Sequence, residues 1–240
     1  MEKAFDISMI ASFVPTLLGY LPVTLYILAV SLLFGFLLGL LLALTRIYRI
    51  PVLNQFAKLY ISFFRGTPIM VQLFIVFYGI PALTALAGID TSKMDPLYAA
   101  IATYALSSAA RAAEIIRGGV NSVGRGQAEA AFSIGLNRGQ TFRRIILPQA
   151  LVQAFPNIGN MVIGFLKDTS LAFSIGVMDM SGRGQTLITS SNHSLEVYIS
   201  LSVLYYAAAL LFECVFRWAE KRIKKDETRL VTVFDMSAHG

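Results

Sequence analysis

From Ile7 to Thr45 the chain carries no charged side chain. A helix needs about 20 apolar residues to cross the hydrocarbon core of a bilayer, and inside that core every backbone amide must be satisfied within a helix or a closed barrel. An uncharged run of this length leaves little besides a membrane helix. Further uncharged runs follow at Gly66–Ile89, Pro96–Ala110, Ile145–Leu166 and Val197–Phe212. Only 14% of the residues are charged, against about 25% in soluble globular chains, so the membrane reading extends to the whole chain. The expectation is an all-α integral membrane protein of about five transmembrane helices, near 21–45, 57–81, 96–117, 149–172 and 196–218. They form one transmembrane domain over 1–225, followed by a tail at 226–240.

Pro15 and Pro22 interrupt the first half of the opening run, so 7–20 reads as an interfacial helix leading into the first span. A cleaved signal peptide needs a basic start and a small-residue cleavage site. "MEKAFDIS" is mixed in charge and no such site follows, so none is expected.

Lysine and arginine concentrate in the cytoplasmic loops of membrane proteins. Arg46, Arg49 and Lys58 follow the first span, and Arg117, Arg125, Arg138, Arg143 and Arg144 follow the third. The tail region holds Arg217, Lys221, Arg222, Lys224, Lys225 and Arg229, whereas only Lys3, Lys93 and Arg183 fall on the opposite side. The N-terminus is therefore expected outside, the C-terminus in the cytoplasm, and the loop 118–148 on the cytoplasmic face. The net charge of +6 is mostly this bias, and the remainder suits anionic headgroups rather than nucleic acid. Cys214 is the single cysteine; it excludes a disulfide framework or thiolate metal site and reads as a packing residue.

The loop 118–148 is polar in a chain this apolar. Its segments 126–134 and 137–147 are rich in helix formers, and Gly135 stands between them where a turn needs positive φ. Pro148 suits the first turn of the next helix, where a missing N–H costs nothing. A short helix, a turn and a second helix result. Ala130 and Ala131 offer a flat surface, and Glu129 a carboxylate for the basic groups of another protein. This is docking chemistry; the duller reading is an amphipathic hairpin lying on the membrane surface.

The spacing E-A-A, three residues, G, nine residues, I-x-L-P resembles the coupling motif of ATP-binding-cassette (ABC) importer permeases. It is matched at Glu129, Ala130, Ala131, Gly135, Ile145, Leu147 and Pro148. "FFRGTPIMVQLF" (63–74), "ARAAEIIRGGV" (110–120) and "FLKDTSLAFSIGV" (165–177) are similar to the polar amino-acid permeases of that superfamily, and the stretch 193–222 looks most like L-cystine permeases. The resemblance implies the type I importer permease fold, with the loop between spans 3 and 4 inserted into a groove on a cytoplasmic ABC ATPase dimer. It implies as partners a second permease copy or a similar permease, and an extracytoplasmic amino-acid-binding protein. It places the chain in the bacterial plasma (inner) membrane.

A chain that hydrolysed ATP itself would need a phosphate-cradling G-x-x-x-x-G-K-[ST] loop, and no Gly-Lys pair occurs. No cofactor is expected on this chain; ATP and magnesium belong to the separate ATPase. "MSGRGQ" at 180–185 looks like an ATPase signature but falls on the outer side, without a nucleotide-binding companion motif. His193 and His239 are isolated and read as solvated, and neither a catalytic group nor a metal site is expected.

Charges at membrane depth usually face a protein interior or an aqueous cavity. Arg65, Arg111, Glu114, Lys167 and Asp168 form the candidate substrate pathway, because a zwitterionic amino acid needs one cationic and one anionic contact. Arg111 and Glu114, three apart on a helix, are able to pair with each other; packing or gating is the alternative role for Arg65, Lys167 and Asp168, and capping of the span beside Arg117 at the cytoplasmic edge is the alternative for Glu114. Glu213 pairs with Arg217, with Trp218 beside them at the headgroup level. Tyr205 and Tyr206 are candidates to line a cavity or pack inside. Gly35 and Gly39 make a G-x-x-x-G pattern that lets helices approach closely, here or at a subunit interface. The reading reached is an ATP-driven importer subunit for a polar amino acid. A secondary transporter would call for inverted repeats, which five unmatched spans do not supply, and a non-transporting scaffold would leave the buried charges without a use.

Overall fold

The computed structural model describes residues 5–238, with side chains through Lys224; Lys3 and His239, and the side chains of Lys225 and Arg229, lie outside the described residues. Every regular element among the described residues is helical. In order they are α1 (Ile7–Leu18), α2 (Leu21–Ile47), α3 (Pro51–Gly66), α4 (Ile69–Leu86), α5 (Pro96–Ser122), α6 (Arg125–Ser133), α7 (Arg138–Thr141), α8 (Leu147–Asp168), α9 (Met180–Ser191) and α10 (Ser194–Ala238).

The centre is α5. Ala99, Ala100, Ser107, Ser108, Ala109, Ala110, Ala112 and Ala113 are all buried on it, and α2, α3, α4 and α8 pack around it. Lipid tails are as apolar as leucine, so small residues that let backbones approach hold such a bundle better than large ones. The closest pairing is α2 on α5, where a Cβ added to Gly39 would stand 2.8 Å from both the Ala109 carbonyl oxygen and the Ala112 Cβ. Gly35 faces Ala105 and Ser108 in the same way. The G-x-x-x-G pattern thus serves a seam within one chain.

Three described helices are long and apolar enough to cross a membrane, Leu21–Ile47, Ile69–Leu86 and Ser194–Lys224; a fourth span results if the helical segment 138–175 and α9, bent by 51°, count as one. The continuous helix expected at 57–81 is two helices. Pro68 lacks an N–H and forces the preceding residue out of helical geometry, and Thr67 is extended at φ −114°, ψ 145°. Hydropathy runs unbroken across this joint, which is why composition alone hides it. α4 and α10 bury little of their apolar surface in the chain itself, and Tyr78, Leu83, Leu211 and Val215 stand exposed. Cys214 is exposed as well, so it is not the interior packing residue expected; its position on α10 turns it to the uncovered face.

At the other end of the bundle, α1 lays Phe13 and Leu17 against Met180, Val197 and Leu201. Asp6 caps α1, and hydrogen bonds from the Ser8 hydroxyl and N–H hold its carboxyl below the usual carboxylate range. The Asp6 N–H donates to Glu196 at 2.8 Å, and His193 Nδ1 lies 3.0 Å from the same oxygen. His193 is buried, contrary to the solvated residue expected: its partner, three residues on, holds it inside. "MSGRGQ" begins α9 as structural sequence. Asp179 caps it through the Gly182 N–H at 2.8 Å, and Met180, Ser181, Gly182 and Gly184 are buried. Asp179 also accepts from Thr24 at 3.4 Å and Tyr205 at 3.3 Å, so Tyr205 packs inside while Tyr206 is exposed.

Candidate functional site

The joint between α3 and α4 builds one wall of a cavity. The side-chain amide of Gln72, itself buried, donates to the carbonyls of Phe64 (2.9 Å) and Thr67 (3.0 Å) and to the Thr67 hydroxyl (2.9 Å). Helix ends leave carbonyls without partners, and here one amide satisfies two of them and fixes the bend. Arg65 sits in the last turn of α3, directed to the space beside α5. A cavity of about 410 Å³ lies there, lined by Phe64, Arg65, Thr67, Arg111, Glu114 and Ile115. Ligand pockets span about 300–1,000 Å³.

Charges meet around this cavity from four helices. Arg111 pairs with Asp168 at the end of α8 (3.4 Å), its guanidinium 4.5 Å from the centre of the Phe165 ring. Glu114 collects three arginines: Arg46 of α2, Arg117 at 2.7 Å and Arg65 at 3.9 Å. The pairing of Arg111 with Glu114 expected from helix spacing does not form. Neighbouring helices supply other partners, Asp168 of α8 for Arg111 and Arg46 of α2 for Glu114. Of the five candidate pathway residues, Arg65, Arg111 and Glu114 line the cavity and Asp168 reaches it through its pair with Arg111; Lys167 is exposed and, like Asp168, outside the lining. Glu213 and Arg217 pair at 3.1 Å as expected, and Arg222 covers the Trp218 ring.

The second feature is the hairpin after α5. α6 ends at Ser133, Gly135 takes φ +84°, and Asn137 opens α7 with a capping box closed by Gln140. A π-helical turn, Phe142–Ile146, leads into α8 with Pro148 in its first turn. Glu129 and Ala130 are exposed, but Ala131 is buried and Thr141 with it. The flat surface expected from both alanines is therefore offered by Ala130 alone, because consecutive residues on a helix point in different directions. Phe132 and Ile134 are 46% and 76% exposed; large apolar side chains on a polar, protruding hairpin mark a surface meant to be covered. Sequence reasoning passed over both, though their place beside Gly135 was visible. Arg143 and Arg144 line a further concavity of about 570 Å³ with Gly139 and Gln140.

A helical membrane bundle with a charged cavity between its helices and an exposed hairpin leading into α8 has the make-up of a transport subunit. The chain belongs to the family of binding-protein-dependent transport system inner membrane components, whose pattern covers residues 35–225. It is 80% identical to the L-cystine transport system permease protein TcyL of Bacillus subtilis (strain 168), across the whole of both chains. It is 35% identical to the glutamine transport system permease protein GlnP of Escherichia coli (strain K12), over 92% of this chain and 98% of that one. The crystal structure of an amino acid ABC transporter with histidines superposes with a TM-score of 0.83 at 29% identity, covering 92% of this chain and all of that one. The fold is thus the type I ABC importer permease fold, and membership makes the chain a multi-pass inner-membrane transport subunit, with a binding protein and an ATPase as its implied partners.

Proposed function

We propose that this chain is the membrane-spanning subunit of an ABC importer for L-cystine, driven by a separate ATPase dimer that grips the hairpin 125–147. What carries the substrate reading is the 80% identity to an L-cystine permease, unbroken from one end of the chain to the other. The docking reading rests on exposed Glu129, Ala130, Phe132 and Ile134, which run up to the turn at Gly135. Buried Ala131 and half-buried Ile145 and Leu147 back the surface through α6 and the start of α8, where Pro148 is exposed in the first turn. ATP and magnesium sit on the ATPase, and this chain holds neither.

Two copies complete the pathway around a two-fold axis, with the uncovered faces of α4 and α10 meeting protein or lipid. The N-terminus lies outside and the C-terminus in the cytoplasm. When ATP draws the ATPase subunits together, the docked hairpins move and the bundles rock between inward-open and outward-open states. Arg65, Arg111, Glu114 and Asp168 line the route, with Lys167 at its edge.

The test is uptake of radiolabelled L-cystine into proteoliposomes holding the complete transporter with its binding protein. Uptake requires ATP on the ATPase side and is indifferent to ion gradients; uptake sustained by an ion gradient without ATP would overturn the reading. With Cys214 replaced by serine, an impermeant maleimide added outside labels Ser92→Cys and spares Glu129→Cys; the reverse pattern would invert the orientation.

A further inference from the structure

The second arm of the hairpin carries a concavity that the substrate route does not use. Gly139, Gln140, Arg143 and Arg144 line about 570 Å³ where the π-helical turn Phe142–Ile146 leads into α8. Its side chains present donors only. Arg143 and Arg144 are exposed, and neither has a carboxylate partner among the described residues. The Gln140 Oε1 already accepts from the Asn137 N–H at 2.9 Å, which leaves the NH₂ donors of that amide unused. No acidic residue occurs between Glu129 and Asp168, so the sequence on either side supplies no counter-charge. Two planar guanidinium forks and an amide suit an anion with several oxygens, a phosphate above all.

We infer that this concavity holds the headgroup of an anionic phospholipid of the cytoplasmic leaflet, with its phosphodiester on Arg143 and Arg144. Position along the chain selects lipid over the carboxylates of a protein partner. The uncharged run Ile145–Leu166 starts at the residue after Arg144, which places both guanidiniums where hydrocarbon gives way to headgroups. Leu151 follows about 10 Å further along the helix and is 56% exposed, an apolar surface for the acyl chain of the same lipid. The exposed residues of the docking surface, Glu129, Ala130, Phe132 and Ile134, all precede the turn at Gly135, and the one charge among them is negative. The hairpin thus has two arms with different partners, the ATPase on the first and the bilayer surface on the second. The site rests on the cytoplasmic placement of the hairpin proposed above.

The experiment titrates the purified permease–ATPase complex in detergent micelles with phosphatidylglycerol and, separately, with phosphatidylcholine of the same acyl chains, and counts bound lipid by native mass spectrometry. Each arginine near an anionic headgroup is worth about fivefold, so the native complex should prefer phosphatidylglycerol by about tenfold or more. The double variant Arg143→Gln/Arg144→Gln should lose that preference and keep its ATPase subunits. Arg143→Lys/Arg144→Lys keeps the charge without the planar fork and should keep part of the preference. Lys58→Gln/Lys221→Gln removes the same charge from other exposed positions and should leave the preference within about twofold of native. No preference in the native complex, an equal loss in the Lys58/Lys221 variant, or a double arginine variant that sheds its ATPase while still preferring phosphatidylglycerol would overturn the lipid site. Labelling of Glu129→Cys from outside is a different result and would overturn the orientation beneath it.

Discussion

The seam between α2 and α5 and the hairpin at 125–147 are opposite solutions to packing within one chain. In the seam, small residues bring two backbones together until Gly35 and Gly39 have no space for a Cβ. In the hairpin, only Ala131 and Thr141 are buried, and Phe132 and Ile134 face outward. A seam of this density moves as one body. A hairpin with so little internal packing has its position set from outside. On the proposed coupling role, motion applied to the hairpin would reach the bundle through α8, whose first turn follows the hairpin without a loop.

Changes in the seam should harm folding, and changes in the hairpin should harm transport. Gly39→Leu places a side chain where the Ala109 carbonyl and Ala112 stand, and overpacking of this kind costs about 1–3 kcal/mol or more. A large loss of thermal stability of the purified complex, with little protein recovered from the membrane, is expected. Gln72→Ala removes the donors that close the end of α3. Carbonyls left buried and unpaired cost about 1–3 kcal/mol, so Tm falls by less than in Gly39→Leu and uptake drops as the cavity wall loosens. Gly135→Pro cannot hold φ +84° with a ring that fixes φ near −65°. Uptake and substrate-stimulated ATPase activity should vanish, while the Tm of the bundle moves by only a few degrees. Glu129→Lys should abolish coupling at unchanged Tm, since the residue is exposed. Glu213→Ala breaks an exposed pair on α10, worth about 0.5 kcal/mol or less, and should leave both readouts unchanged. A hairpin variant that unfolded the bundle, or a seam variant that lost only coupling, would erase the distinction.

The parts legible in the sequence are those set by neighbours along the chain. The uncharged run through Thr45 announced α2. Gly135 with helix formers on both sides announced the hairpin, and its match to a known spacing pointed to the permease family. What escaped depends on other helices. The joint at Thr67–Pro68 lies inside an apolar stretch, and Gln72 acquires its meaning only when the chain bends back so that its amide meets Phe64 and Thr67. Arg111 and Glu114 are near each other on α5, but Asp168 from α8 and Arg46 from α2 arrive closer, and nothing in the local spacing foretells them. His193 was more readable: Glu196 stands three residues on, a helical neighbour able to hold an imidazole inside.

The central claim is that the hairpin transmits motion from a separate motor to this bundle, and it is tested most directly by crosslinking. With Cys214 replaced by serine the chain has no other cysteine, and Glu129→Cys then carries one reactive group at the hairpin surface. In the assembled complex it should crosslink to the ATPase, with a yield that changes when ATP is added. Crosslinks to lipid alone, with none to the ATPase in any nucleotide state, would contradict the account.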